Sequence, residues 1–413
     1  MAPIPTLPPG FTWERKPFKK CDGCGEIALG FLGAGGDVMT ERCSKCRYQI
    51  NWVLPDLDKR VIYLDQNAFS VIFKVRAGGR LPKGHEDFSK ALHEKVRRAV
   101  LLQQAVFPHS DLHSEETIVF GQDAGNLRAS YEFIGGDIPF VRTADIELNQ
   151  IVEFATAYRD KRDPALSFSP DEVLSKPRNV WLPDMHIRVN ANYDAFAGGI
   201  RHRREANHEE MKDLYEGWRR EKPSFAEILE RELSNYGDAK CKAYCVKLQR
   251  AFDAMGSGDP EAIIGTHLDS IFDEKRALMH VFNLHPDDEL GAMKTIFEFW
   301  RWHGNRDVPV HRIASNLWAG LGRRFALGQR STTRGVYNDI KAISTYGPYV
   351  DAMFIDKEFA NILSETKELR NIGLKARIFS FANGDEFLAY LDELAEGASD
   401  EVREYAEHIY GVK

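Results

Sequence analysis

Four cysteines near the amino terminus constrain this chain more than any other feature. Cys21 and Cys24 are separated by two residues, as are Cys43 and Cys46, and eighteen residues lie between the pairs, in CDGCGEIALGFLGAGGDVMTERCSKC. This is the spacing of a four-thiolate zinc site, in which two tight knuckles bring four sulfurs to one tetrahedral ion. Gly23 and Gly25 permit the turns. A closed four-cysteine site leaves no open coordination position, so its zinc is structural. Residues 1–55 therefore read as a zinc ribbon with an extended lead-in. Its flanks, ERKPFKK and ERCSKCRYQ, are basic and aromatic, which suits nucleic-acid contact as well as a plain folding staple. Six cysteines in 413 residues do not make a secreted disulfide framework. Cys241 and Cys245 are expected as reduced core residues, and a reducing cytoplasm as the compartment.

The remaining chain is long enough for two or three domains of about 150 residues each. With 43% hydrophobic and 28% charged residues it can bury a large core. No apolar run approaches the roughly 18 residues of a spanning helix. MAPIPTLPPGFTWERKPFKK has no apolar signal region, so neither membrane insertion nor a secretory signal is expected. The net charge of -7 means that a polyanionic partner would need local basic patches.

Val61 to Leu64 is a short β-prone run that stops at Asp65 and precedes a helical pattern. PKGHEDFSKALHEKVRRAVLLQ reads as a helix, QAVFPHS as a strand and DLHSEETIVFGQDAGNL as a helix. Strand and helix in alternation argue for a parallel sheet. A long helical stretch follows, with capping-box starts at Ser169/Glu172 and Ser224/Glu227 and an apolar helix ending in FEFWRWHG, whose rings are expected in the core, with base stacking as their other reading. The charged cluster Arg201, Arg203 and Arg204 reads as a solvated face. Strands return as VDAMFID and KARIFSF, and GDEFLAYLDELAE closes with a helix. The expected fold is an α/β sheet built from residues 56–145 and 311–413, with a mainly helical insertion over residues 146–310, and with first and last strands in one sheet.

Acids sit at the ends of these elements: Asp65 after the first strand, Glu116 on the helix after the second, Asp339 near a helix start and Asp356 after VDAMFI. Ligands of open parallel sheets bind outside the carboxyl ends of the strands. Converging carboxylates repel unless a cation joins them, and an all-oxygen set suits Mg²⁺ or Mn²⁺.

In these motifs the chain resembles the PIN-domain nucleases. Asp65 lies in LDQN, with Asn67 two residues on; Ser110 and Glu116 keep the offset of the second acid; Asp339 opens NDIKA; and Asp356 lies in FIDKEF. The resemblance covers roughly residues 60 to 145 and 310 to 397. It implies a PIN-like parallel sheet flanked by helices and metal-dependent phosphodiester hydrolysis, with RNA preferred over DNA. Structural Zn²⁺ would accompany catalytic Mg²⁺ or Mn²⁺. Asp65 and Asp339 would be the leading ligands, Glu116 and Asp356 would complete the cluster directly or through water, and Asn67 would orient Asp65 or a phosphate. Members of the family include toxins, defence effectors and RNA-processing enzymes, so an antitoxin-like protein partner is within its range. The sequence departs from the family in its long insertion, in Gly347-Pro348 cutting short the third-acid helix, and in two further acids, Glu115 and Asp351, either of which could replace a ligand.

Residues 308 to 338 hold no acid, but they hold Arg312, Arg323, Arg324, Arg330 and Arg334. Arginines leading into Asp339 suit a phosphate backbone; a helix facing the acidic insertion is the other reading. His113, three residues before Glu116 on the same helical face, is expected at the surface, with a supporting partner of Glu116 or a general acid as the other reading. A haloacid dehalogenase-like phosphotransferase would need D-x-D, and Asn67 stands at its third position. The rival that survives is a non-catalytic nucleic-acid- or protein-binding scaffold with a structural zinc ribbon, in which the acids would be scattered.

Overall fold

A computed structural model describes residues 18–119, 124–136, 138–182, 194–257, 270–285, 287–332, 335–365 and 373–412. The amino-terminal part is an antiparallel sheet of β1 (Lys19–Lys20), β2 (Ile27–Gly35), β3 (Val38–Cys43) and β4 (Gln49–Val53), in that order. β5 (Arg60–Leu64) then starts the second sheet. It is followed by α1 (Gln66–Ala77), α2 (Glu86–Leu101), β6 (Ala105–Val106), α3 (Asp111–Ile118) and α4 (Ala124–Ile134). The helices α5 (Thr143–Asp160), α6 (Asp194–Glu221), α7 (Phe225–Ser257), α8 (Ser270–Val281), α9 (Glu289–Trp300) and α10 (Pro309–Ala326) come next. The chain closes with α11 (Val336–Tyr346), β7 (Ala352–Phe354), α12 (Lys357–Glu365), β8 (Arg377–Phe379), α13 (Gly384–Glu396) and α14 (Asp400–Tyr410).

The second sheet runs β6-β5-β7-β8 and every pairing in it is parallel. Ile62 faces Ala352 and Leu64 faces Phe354, so strands nearly 300 residues apart in sequence are direct neighbours, as the sequence leads one to expect. Residues alternate between two cores. Ile62, Leu64, Ala352 and Phe354 point into one, with α1, α2, α13 and α14. Val61, Tyr63, Met353 and Ile355 point into the other, with α10, α11 and α12. Both faces are covered, which is why VIYL and AMFI read as unbroken apolar runs rather than as alternating ones. The helical stretch has a third core of its own, around Phe154, Leu278, Ile296, Phe299 and Trp300.

Several local expectations need correction. QAVFPHS contributes two strand residues. Ser169 caps a single 3-10 turn, Pro170–Val173, because Ser169 Oγ accepts from the Asp171 N–H and no helix propagates. Ser224 and Glu227 do form a capping box and start α7. Cys241 is buried, but Cys245 one turn later is exposed. Arg201 is exposed and donates to the Val119 carbonyl; the side chains of Arg203 and Arg204 lie outside the described residues.

One segment ties the ribbon to the α/β core. The Trp181 N–H donates to Gly36 O at 2.7 Å and its indole Nε1 to Pro55 O at 2.9 Å, while its ring is fully buried among core side chains. Beside it, Lys59 is buried and donates to Val180 O at 2.6 Å, and burial pushes its amine down to about 7. Trp181→Ala is expected to cost about 3–5 kcal/mol of stability in urea unfolding, since it empties a large core volume and orphans the Pro55 carbonyl. An unchanged midpoint and slope would refute that role.

Candidate metal centre and carboxylate site

The two knuckles close as the spacing requires. The sulfurs of Cys21 and Cys46 lie 3.6 Å apart, and those of Cys24 and Cys43 3.8 Å apart. Four sulfurs at about 2.3 Å from one tetrahedral zinc stand about 3.8 Å from each other. All four lie within 4.8 Å of one another. Backbone N–H groups of Gly23, Lys45 and Cys46 point at Sγ atoms. The Cys46 N–H, followed by that of Lys45, pulls the Cys43 thiol down to about 6, whereas burial pushes Cys21 up and, against the pull of the Glu26 N–H, Cys24 up to about 12. Each knuckle ends on a left-handed residue, Gly25 (φ 77°) after Cys24 and Arg47 (φ 63°) after Cys46. The sequence marks the first with glycine; nothing marks the second. The cluster is thus compatible with a structural zinc ion. Its sheet is braced by Glu41, which is buried, accepts from Lys19 and Trp52 and faces His408 of α14 at 3.2 Å.

At the carboxyl edge of the parallel sheet, three hydrogen bonds draw the acid-bearing elements together. The Asp65 N–H donates to Phe354 O at 2.9 Å, which joins the ends of β5 and β7 and brings Asp356 alongside. His113 Nε2 lies 2.8 Å from Leu64 O, which docks α3 on the end of β5. Asn338 Nδ2 donates to Glu116 Oε1 at 3.0 Å, which joins α11 to α3 and leaves Asp339 as the next residue. Asn67 donates to Asp65 through its side chain at 3.2 Å, the orienting contact expected of it. Asp356 caps α12 by accepting from the Glu358 N–H at 2.7 Å.

The electrostatics follow from this convergence. Burial, and then the charge of Glu116 and that of Asp356, push Asp65 up to about 7 against the pull of Asn67. Asp339 is held well above the ordinary carboxylate range by burial and by the charges of Asp65, Glu116, Asp356 and Glu358. Among the described residues no three carboxylates bring oxygens within 4.8 Å of one another, so the acids face one another at a wider spacing than the thiols do. The side chains that face one another here are all carboxylates, and the charged forms of Asp65 and Asp339 are the ones the arrangement disfavours.

Glu116 accepts from Asn338, and its charge acts on Asp65 and Asp339. Asp351 sits at the opposite end of β7 and accepts from the Val61 N–H at 2.8 Å and from Arg60 at 3.2 Å, so it fixes strand register. His113 is buried rather than at the surface. Ser110 N–H donates to its Nδ1 at 3.0 Å, which assigns the proton to Nε2, facing Leu64 O. Tyr63 and Phe69 pack against the ring.

Of the arginines, Arg312 pairs with Asp307, and Arg324 pairs with Glu365 and the Glu358 carbonyl, which braces α12. Arg323 is half-buried and Arg330 exposed, while Arg334 lies outside the described residues. Two residues escaped the sequence reading: Asn338, whose neighbour Asp339 drew the attention, and Glu358, which accepts from Gln329 at 2.5 Å and Thr332 at 2.9 Å and so holds the loop before α11.

Burial pushes the His113 imidazole down to about 3 from the ordinary 6.5. A depressed folded-state value gives stability that is present above 6.5 and lost as the pH falls toward 3. His113→Ala is expected to unfold at lower temperature at pH 7.5 and to show a shallower loss of stability than the parent between pH 6.5 and 4. Parallel melting curves for the two proteins across that range would discount the assignment.

A comparison of the chain with protein-family models, curated proteins and solved structures finds no match. The likeness to PIN-domain nucleases therefore rests on the motifs of this chain alone.

Proposed function

We propose that this protein is a metal-dependent nuclease that hydrolyses phosphodiester bonds, of RNA in preference to DNA. The observation that carries the reading is that Asp65, Glu116, Asp339 and Asp356, from four separate elements, lie at one edge of a parallel sheet, near enough for their charges to act on Asp65 and Asp339. A scaffold has no use for such a concentration of destabilised charge, and acids at scattered positions are what that rival requires. The preference for RNA comes from the PIN resemblance.

A bound Mg²⁺ or Mn²⁺ supplies Lewis acidity toward the phosphate and an activated water. Asp65 and Asp339 are the leading holders of the cation, and Glu116 and Asp356 flank them. Asn67 keeps the Asp65 carboxylate in one orientation. Asn338 does the same for Glu116. Arg330, exposed on the loop that Glu358 holds, faces solvent where a phosphate can approach. The Cys21/Cys24/Cys43/Cys46 cluster takes no part in the reaction in this reading; it folds the ribbon. The test is incubation of single-stranded RNA and DNA of mixed sequence with the zinc-loaded protein and Mg²⁺ or Mn²⁺, beside Asp339→Asn. Cutting that the variant loses supports the proposal. Polynucleotides left whole under both metals overturn it.

A further inference from the structure

The helical stretch between the halves of the sheet carries a cavity of about 700 Å³ that none of the four acids lines. Three aromatic residues line it: Tyr158 at the end of α5, Phe282 after α8 and Trp302 after α9. Tyr158 lies 5.3 Å from the Trp302 ring and 6.1 Å from Phe282, centre to centre. In FEFWRWHG, Phe299 and Trp300 are buried in the core as expected, but Trp302 is half-exposed and turned to this opening. Its ring lies over Gly304, where an added Cβ would come within 2.3 Å of it, so this backbone position is shaped to seat the indole.

Charged side chains share the rim: the cations Arg159, Lys161 and Arg162, and one acid, Asp163. Arg159 is paired with Asp160 and Arg162 with Glu153. Among the described residues the exposed Lys161 has no ion pair, and it caps α5 in the left-handed region (φ 52°). Half-exposed rings beside an uncommitted ammonium are the combination that takes a flat, apolar-faced group bearing a negative charge.

We propose that this cavity holds an unpaired base of a single-stranded nucleic acid, stacked on Trp302 and Tyr158, with Lys161 at the adjoining phosphate. This deepens the nuclease reading by giving the insertion a substrate-holding role. The opposite end of α5 is anchored to the catalytic half, since the Thr143 side chain donates to Asp111, the first residue of α3, at 2.8 Å. Tyr158 is fifteen residues further along the same helix, about 23 Å at 1.5 Å per residue. A strand reaching both places must be several nucleotides long, so short oligonucleotides reach only one.

The experiment measures binding separately from cutting. Zinc-loaded protein is titrated, without added Mg²⁺ or Mn²⁺, into end-labelled twelve-nucleotide RNA and DNA single strands and into the matching duplex, and anisotropy is followed. Trp302→Ala is expected to weaken single-strand binding about 5- to 100-fold, the range of one lost stacking partner. Lys161→Glu is expected to weaken it and to reduce the salt slope by about one. Trp302→Phe, which keeps an aromatic wall, should retain most of the affinity and lose the quenching of tryptophan fluorescence that accompanies binding. Equal single-strand affinity in the parent and Trp302→Ala, both with intact melting curves, or equal competition by duplex, overturns the proposal. Absence of cleavage with intact, Trp302-dependent binding would overturn the nuclease reading alone.

Discussion

Asp65→Asn is expected to lose metal-dependent cutting by about 10³-fold or more, and yet to melt at a higher temperature than the parent in magnesium-free buffer above pH 7. In the proposed reaction the loss follows from removing one charge from the set that would hold the cation, because metal-borne charge stabilisation of a phosphoryl transition state is worth several kcal/mol and each 1.36 kcal/mol is about tenfold in rate. The gain follows from the same geometry. Asp65 is pushed up to about 7 by burial, by Glu116 and by Asp356. A carboxyl with a raised folded-state value stabilises the fold fully below its ordinary value of 3.8 and loses that contribution as the pH rises through 7. At pH 8 the metal-free parent therefore carries a charge that the fold disfavours, and the amide does not. Mg²⁺ should raise the melting temperature of the parent and leave that of the variant nearly unchanged. Thermal unfolding at pH 5 and pH 8, with and without Mg²⁺, reads all of this. If Asp65→Asn melts no higher than the parent at pH 8 without metal, the carboxylates do not strain one another as described. If it cuts as well as the parent, Asp65 does not serve the reaction.

Withdrawal of zinc should unfold the ribbon and leave the α/β core standing but weakened. The ribbon's own buried cluster is Cys21, Ala28, Leu29 and Cys43 with Ile50 beside it, and the ligands themselves are half of the first four. That is too little apolar surface to fold a sheet, whereas structural zinc contributes about 10–16 kcal/mol in small zinc domains. Cys21→Ser with Cys43→Ser, or a chelator followed by restored Mg²⁺, is expected to open residues 18–53 to limited proteolysis. Met39 and Leu54 reach from this region into the main core, so the remainder should melt several degrees lower. Loss of the ribbon would also strip Glu41 from His408 on the last helix. A protease pattern that does not change on zinc removal would mean that the four thiols hold no structural ion.

The sequence discloses those features whose cause lies within a few residues. Two CxxC pairs state a metal knuckle because ligand and turn are local. VIYL followed by Asp65 and AMFI followed by Asp356 state strands that stop at an acid, and continuous apolar runs state burial on both faces. The capping box at Ser224 and Glu227 closes over three residues and is present. Ser169 shows the limit: the same local signature produced one 3-10 turn, since the chain turns extended at Leu174, which bridges Phe140.

Other assignments depended on partners far away in the chain. Glu116 takes its hydrogen bond from Asn338, more than 200 residues later. Asp351 reads like a ligand candidate until Val61 and Arg60 are found beneath it at the wrong end of the strand. His113 looks like a surface residue on a polar helix, and only the carbonyl of Leu64 and the rings of Tyr63 and Phe69 make it a buried peg. Arg324 belongs to a basic run by sequence and to Glu365 by packing. Composition and spacing thus determined the zinc knuckles, the parallel sheet and which strand ends carry acids, since each is written in neighbouring residues. Which acids meet, which basic groups stay unpaired and where Trp302 opens to solvent were decided by tertiary packing alone, because burial and charge pairing depend on what lies across the fold rather than along the chain.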